Sequence, residues 1–252
     1  MTLGAASRWL PNRPGSGHAA FRVFCLPHAG GAASAFRSWT ADQPSGGEIC
    51  AIQLPGREER MREPFPAGIC ALAQALGVAL LPELDVPYVL IGNSMGALVA
   101  FELARFLQQE YFLPPIRLVA AASGPPRDDR RAPGISQATD EAFLLAMQQR
   151  YGGIPREMLA SPRHLAAFLP ALRADMAMLE AYQPSSWPPL DCPITAVAGA
   201  GDTGISRCDL EGWSKFTTSI FDCVELPGDH FAPLHHPGDL LAGIYAEAAQ
   251  SG

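Results

Sequence analysis

The sequence predicts an α/β protein, a mostly parallel sheet flanked by helices with a helical segment inserted late in the chain. Three observations carry that prediction. Short aliphatic runs alternate with segments of helical period along most of the 252 residues, as in a parallel sheet covered on both faces. Leu90-Ile91-Gly92-Asn93-Ser94-Met95-Gly96 joins a strand-like run to a helix-like run through Gly-x-Ser-x-Gly. Finally, Thr139 to Tyr182 shows helical segments broken by Gly152-Gly153, Pro155, Pro162 and Pro170 but no strand. That is too long for a simple connection.

The first strand is expected at Phe21–Leu26, and Pro27-His28-Ala29-Gly30-Gly31 follows it at once. Ser34 to Trp39 begins a helix, and Ile49–Leu54 is the second strand. Pro55 and Gly56 break that strand, and the charged run Arg57-Glu58-Glu59-Arg60 reads as a solvated turn. Helical period runs from Ile69 to Leu84. Tyr88–Ile91 is the strand entering the serine motif, and Ala97–Leu107 is the helix leaving it. Leu118–Ala122 is a further buried strand, ended by Ser123-Gly124-Pro125-Pro126. Arg127 to Arg131 forms a charge cluster that opens the insertion, placed at about 127–185. Its apolar residues, among them Phe143, Leu144, Met147, Leu159, Phe168, Leu169, Met176, Met178 and Leu179, are expected mostly to pack its own helices, with some lining a pocket. Pro193–Gly199 and Ser219–Leu226 supply the last two strands, and a helix from Pro237 to Ala249 closes the chain. Residues 1–20 are expected to be a flexible tail, and residues 21–252 a single domain.

Composition sets limits. The chain is 48% hydrophobic and 17% charged, with a formal net charge of -7, so the basic footprint of a nucleic-acid binder is missing. No apolar run has the length of a membrane span, and no apolar core of a signal peptide opens the chain. The six cysteines lack paired spacing and read as reduced, buried thiols of a cytoplasmic protein. A monomer is the default expectation. No metal-ligand spacing or phosphate-binding glycine motif emerges, so no metal and no cofactor are expected.

The chemistry is read from strand ends. A serine between two glycines on a strand-to-helix turn can hold a strained backbone with its hydroxyl above the sheet. In such a nucleophile elbow, the mark of the α/β-hydrolase fold, the partners follow in the order serine, acid, histidine. Here the order is Ser94, Asp202, His230, with the last two just beyond strand candidates. Ser94 is the candidate nucleophile, His230 the base, and Asp202 the carboxylate that orients the imidazole. The backbone N–H groups of Ala29, in the loop after the first strand, and Met95, after the nucleophile, are the candidate oxyanion donors. Asp209 lies beyond the turn, Asp229 is too close in sequence to His230 to reach its ring, and His235 and His236 open the last helix. His164 belongs to the insertion, His18 to the tail, and His28 shapes a loop.

On these motifs the chain resembles the type II thioesterases associated with nonribosomal peptide synthetases and polyketide synthases. The resemblance rests on Pro27–Gly31 with Phe36 and Trp39, on Gln53-Leu54-Pro55-Gly56-Arg57-Glu58-Glu59-Arg60, and on the elbow. It continues through Leu172-Arg173-Ala174-Asp175 with Tyr182, Gly201-Asp202 with Trp213, and Pro227–Phe231. Asn93 departs from the histidine usual in that family, which implies altered packing or hydrogen bonding beside the elbow. The resemblance implies hydrolysis of acyl or aminoacyl thioesters on the phosphopantetheine arm of acyl or peptidyl carrier proteins, clearing stalled or misprimed units, with the insertion acting as a lid. A medium-chain fatty acyl carrier-protein thioesterase would share these motifs. A carboxylesterase or lipase, or a non-catalytic binding protein on the same fold, are more distant alternatives.

Overall fold

A computed structural model of the chain describes residues 8–11, 19–42, 46–126, 134–152, 154 and 161–248, without the side chains of 40–42 and 245–248. Six strands form one sheet: β1 (Phe21–Leu26), β2 (Gly47–Ala51), β3 (Tyr88–Asn93), β4 (Arg117–Ala121), β5 (Ile194–Gly199) and β6 (Phe221–Leu226). Their order is β2-β1-β3-β4-β5-β6, and every pairing is parallel. Seven α-helices accompany them among the described residues: α1 (Ile69–Leu80), α2 (Met95–Tyr111), α3 (Asp140–Arg150), α4 (Pro162–Glu180), α5 (Arg207–Glu211), α6 (Ala232–His235) and α7 (Pro237–Ala248).

The strands read as continuous apolar runs because both faces are covered. Leu90 and Leu118 face one core with α1 and α2, while Val89, Ile91 and Val119 face a second core that includes Leu240, Leu241 and Ile244 of α7. Chain direction across the sheet reverses between β1 and β3, the topological switch point at which parallel sheets open a crevice at their carboxyl ends. The glycine-rich loop after β1 and the serine turn after β3 therefore lie side by side.

Three stretches differ from expectation. The second strand ends at Ala51, because Gln53 leaves the sheet: its Oε1 accepts from Ala33 N–H at 3.0 Å and its Nε2 donates to the Arg57 carbonyl at 3.0 Å. The segment expected to be a solvated turn is partly buried, with Arg57 and Arg60 only 6% and 7% exposed. A buried charge needs a partner; Arg57 pairs with Asp175, and Arg60 donates through Nη1 to the Gln53 carbonyl and through Nη2 to Glu63, its Nε meeting no partner among the described residues. In the expected tail, residues 8–11 are docked: Trp9 is buried, lies under the Arg60 guanidinium at 4.0 Å, and accepts from Gln53 N–H at 2.8 Å. The charge cluster 127–131, Leu159 and His18 lie outside the described residues.

Within 134–152 and 161–182 the described structure is helical, with no strand. Phe143, Met147, Leu169, Leu172 and Met176 form a small core of their own that reaches Ala29, whereas Met178 packs into the main core. The C-terminal half of α4 is tied down by Asp175 and by the following Tyr182, whose hydroxyl donates to Glu102 of α2 at 2.7 Å. No described helix is long and apolar enough to cross a membrane.

The elbow tolerates nothing larger than glycine. A Cβ on Gly92 would stand 2.1 Å from the Gly96 carbonyl oxygen, and one on Gly96 would stand 2.3 Å from the Leu26 carbonyl oxygen of β1. Backbone cannot yield as a flexible side chain can. Gly96→Ala is expected to cost about 3 kcal/mol or more, lowering Tm by roughly 6–12 °C for a chain of this size; an unchanged melting curve would refute the steric reading.

Candidate active site

Ser94 occupies the turn between β3 and α2 with φ 54° and ψ -114°, a left-handed conformation that costs an L-residue of order 1–3 kcal/mol. It is held there by its own N–H, which donates to the Ala121 carbonyl at 2.7 Å, and by the glycine contacts. The hydroxyl consequently stands at the carboxyl edge of the sheet, in front of the positive end of the 17-residue α2,.

His230 and Asp202 arrive from neighbouring loops. Gly201 N–H donates to the Gly228 carbonyl at 2.8 Å, and Ala200 N–H to the Leu226 carbonyl at 2.8 Å, lacing the turn after β5 to the turn after β6. Gly199 lets them close, since a Cβ there would meet the Asp229 carbonyl at 2.1 Å. His230 Nδ1 lies 2.7 Å from Asp202 Oδ2, and His230 Nε2 lies 3.1 Å from Ser94 Oγ. Asp202 Oδ1 is occupied by the Gly204 N–H at 2.8 Å, which fixes the carboxylate plane. Both side chains are buried, His230 at 4% and Asp202 at 9% residue exposure, while Ser94 is half-buried and open to the crevice. With Nδ1 donating to the carboxylate, Nε2 carries the lone pair toward the serine hydroxyl.

The rival residues are elsewhere. Asp209 makes a capping box with Ser206 at the start of α5, and Asp229 accepts from Phe231 N–H at 2.9 Å. His235 ends α6 and His236 lies 3.7 Å from Asp239. His164 is on the exposed first turn of α4.

Ala29 precedes Gly30 in the loop beside Ser94, and Met95 is the first residue of α2, where an N–H has no carbonyl one turn behind it to bond,. Gly30 (φ 73°) is clamped: its N–H donates to Asp175 Oδ2 at 2.7 Å. Two buried indoles brace the surroundings. Trp39 Nε1 donates to the Leu234 carbonyl at 3.1 Å, just beyond His230, and Trp213 Nε1 donates to the Ser123 carbonyl at 2.9 Å, just beyond β4.

Two cavities meet at Ser94 and His230. One, of about 50 Å³, is mainly apolar, walled by Ala29, Met147, Phe168, Leu172, Met176 and Phe231. The other, of about 200 Å³, is more polar and includes Ser123, Arg150 and Gly204. Tyr151, whose ring lies 5.0 Å from that of His230, stands between them. Nothing in the sequence singled out Tyr151; its place after α3 would have been the only signal. Asn93 is 1% exposed, and neither atom of its amide meets a hydrogen-bond partner among the described residues.

His28 lines the apolar cavity, its ring edge-on to Phe231 at 5.1 Å. Burial, with the charges of His230 and Arg57 adding to it, pushes its imidazole down to about 4. An unfolded histidine titrates near 6.5, so between those values the unfolded chain binds more protons than the folded one. The stability this histidine contributes is therefore whole above about pH 6.5 and is lost as pH falls toward about 4. Urea midpoints should drop across that window, and His28→Gln should flatten the slope; an equal slope in both proteins would remove His28 as the cause.

Comparison with known proteins gives a consistent result. A thioesterase domain matches residues 21–247. The gramicidin S biosynthesis protein GrsT of Aneurinibacillus migulanus is 34% identical over 91% of this chain and 89% of its own length. The medium-chain S-acyl fatty acid synthase thioesterase of Rattus norvegicus is 33% identical over 84% of this chain and 81% of its own. Among solved structures, the RedJ thioesterase from the prodiginine pathway of Streptomyces coelicolor superposes with a TM-score of 0.81 at 33% identity, covering 96% of this chain and 93% of that one.

Proposed function

The chain belongs to the thioesterase family, a serine hydrolase acting on thioesters, and from that premise we propose that it edits assembly lines. In this reading it removes stalled or misprimed acyl and aminoacyl units from the phosphopantetheine arm of acyl or peptidyl carrier proteins in nonribosomal peptide or polyketide synthesis. The observation that carries the chemistry is the chain of contacts from Ser94 through His230 to Asp202, at 3.1 and 2.7 Å, on the floor of a crevice with two arms.

Ser94 Oγ attacks the thioester carbonyl while His230 Nε2 takes its proton. Asp202 holds the imidazole and stabilises its cation. The carbonyl oxygen becomes an oxyanion facing the N–H groups of Ala29 and Met95. Collapse expels the thiolate, which takes a proton from His230, and a water activated by the same ring then cleaves the acyl-enzyme.

A thioester needs room on both sides of its carbonyl. The apolar cavity takes the acyl group and the polar one the pantetheine arm, with α3 and α4 serving as the lid that walls both. The acyl side is the smaller of the two, about 50 Å³ against about 200 Å³. Its apolar walls and small size suit acetyl, propionyl or small aminoacyl groups. A medium-chain acyl group would need Met147 and Phe168 to move. The rat relative keeps the chain-terminating reading as the alternative. The proposal carries with it a cytoplasmic monomer that visits carrier domains and uses no metal or cofactor.

The test is hydrolysis of a panel of carrier-bound thioesters from acetyl and propionyl through aminoacyl to decanoyl, beside the matching oxygen esters. Broad release of the short units is expected. A sharp preference for decanoyl would move the assignment to fatty acid chain termination, and no release from any carrier would remove it.

A further inference from the structure

Arg57 and Asp175 stand 118 positions apart in sequence and meet on the loop that follows β1. Asp175, wholly buried in α4, accepts Nη1 of Arg57 at Oδ2 (2.6 Å) and Nη2 at Oδ1 (2.8 Å), and Oδ2 also accepts the Gly30 N–H at 2.7 Å. Arg57 continues to the Gly31 carbonyl at 3.0 Å and the Pro55 carbonyl at 3.2 Å. The pair thus grips consecutive residues of one loop, by an N–H at Gly30 and by a carbonyl at Gly31. From above, α4 presses on the same loop, for a Cβ on Gly30 would lie 2.8 Å from the Phe168 ring.

A buried ion pair is weak evidence for stability, since well-packed apolar side chains often do as well. What apolar side chains cannot do is orient an amide plane.

We propose that Arg57 and Asp175 are positioning residues that aim the Ala29 N–H at the oxyanion formed on the carbon attacked by Ser94. The inference rests on the oxyanion role given to Ala29 above. Asp175 fixes the peptide that joins Ala29 to Gly30, and Arg57 fixes the peptide that joins Gly31 to Ala32 while cancelling a carboxylate that would otherwise lie unpaired near developing negative charge. Loss of the arginine alone therefore does more harm than loss of both charges, because it leaves a buried anion uncompensated.

The experiment compares the full chain with Arg57→Gln, Arg57→Lys, Asp175→Asn and the double variant Arg57→Gln/Asp175→Asn. Each is measured for kcat and KM per titrated active site on an acyl thioester, and for affinity toward a trifluoromethyl ketone bearing the same acyl group. Ser94 Oγ adds to the ketone carbon, its proton passes to His230, and the ketone oxygen becomes an oxyanion in the same place. Deleting an oxyanion donor outright costs about 10²–10³ in kcat, so a misaimed one in Arg57→Gln should cost roughly 10–100-fold, with KM within about threefold. The ketone should weaken by the same factor, and the double variant should recover part of the loss. Should Arg57→Gln not fold, Arg57→Lys supplies the same comparison, because its single ammonium cannot bridge both Asp175 oxygens and the Gly31 carbonyl. Variants that melt lower but keep wild-type kcat and ketone affinity per active site would overturn the positioning role. If the wild-type chain fails to bind the ketone, or Ser94→Ala remains active, the acyl-enzyme reading itself falls instead.

Discussion

Ser94→Ala is expected to lower kcat for thioester hydrolysis by roughly 10⁴–10⁶-fold, the range seen when a triad nucleophile is removed. Stability should scarcely change. The strain of φ 54° falls on alanine as it does on serine, the N–H bond to the Ala121 carbonyl is a backbone bond, and the hydroxyl's one described partner is His230 Nε2 at 3.1 Å. Carrier-protein thiol release measured beside a melting curve checks both halves. Retained activity would remove Ser94 as the nucleophile, whereas lost activity with a collapsed melting curve would make the result a folding effect.

Asp202→Asn should cost about 10⁴ in kcat, the loss expected when the acid of a triad becomes an amide. Asp202 Oδ1 takes the Gly204 N–H and Oδ2 takes His230 Nδ1, at 2.8 and 2.7 Å. The loop bond requires an acceptor at the first atom, so the asparagine turns its NH₂ toward the imidazole. A donor facing Nδ1 forces the proton onto Nε2, where it meets the Ser94 hydroxyl as a donor and cannot accept its proton. The rate loss should therefore appear in kcat with KM little altered, and should ease at high pH as the hydroxyl ionises without help. A variant within tenfold of the wild type would show that the carboxylate does not set the tautomer.

The fold and the candidate site were legible in sequence to different depths. Parallel strands covered on both faces must be continuous apolar runs, and at Gly92 and Gly96 backbone passes within about 2 Å of where a Cβ would stand, which only glycine allows, so both were local patterns. Ser94, Asp202 and His230 could be named for the same reason: each closes a strand, and parallel strands bring their ends to one edge. Arg57 and Arg60 could not be placed, because a charged run beside a glycine and a proline looks solvated until its counter-ion is known, and Asp175 lies in another element. Trp9 reads from sequence as part of a flexible tail because no periodicity in so short a stretch marks the surface it docks on. The sequence by itself determined which groups could do chemistry and in what order they follow one another. The size of the apolar cavity beside Ser94, the clamp on Gly30 and the wall that Tyr151 makes were decided only by tertiary structure, since each depends on the distance between side chains that no local pattern relates.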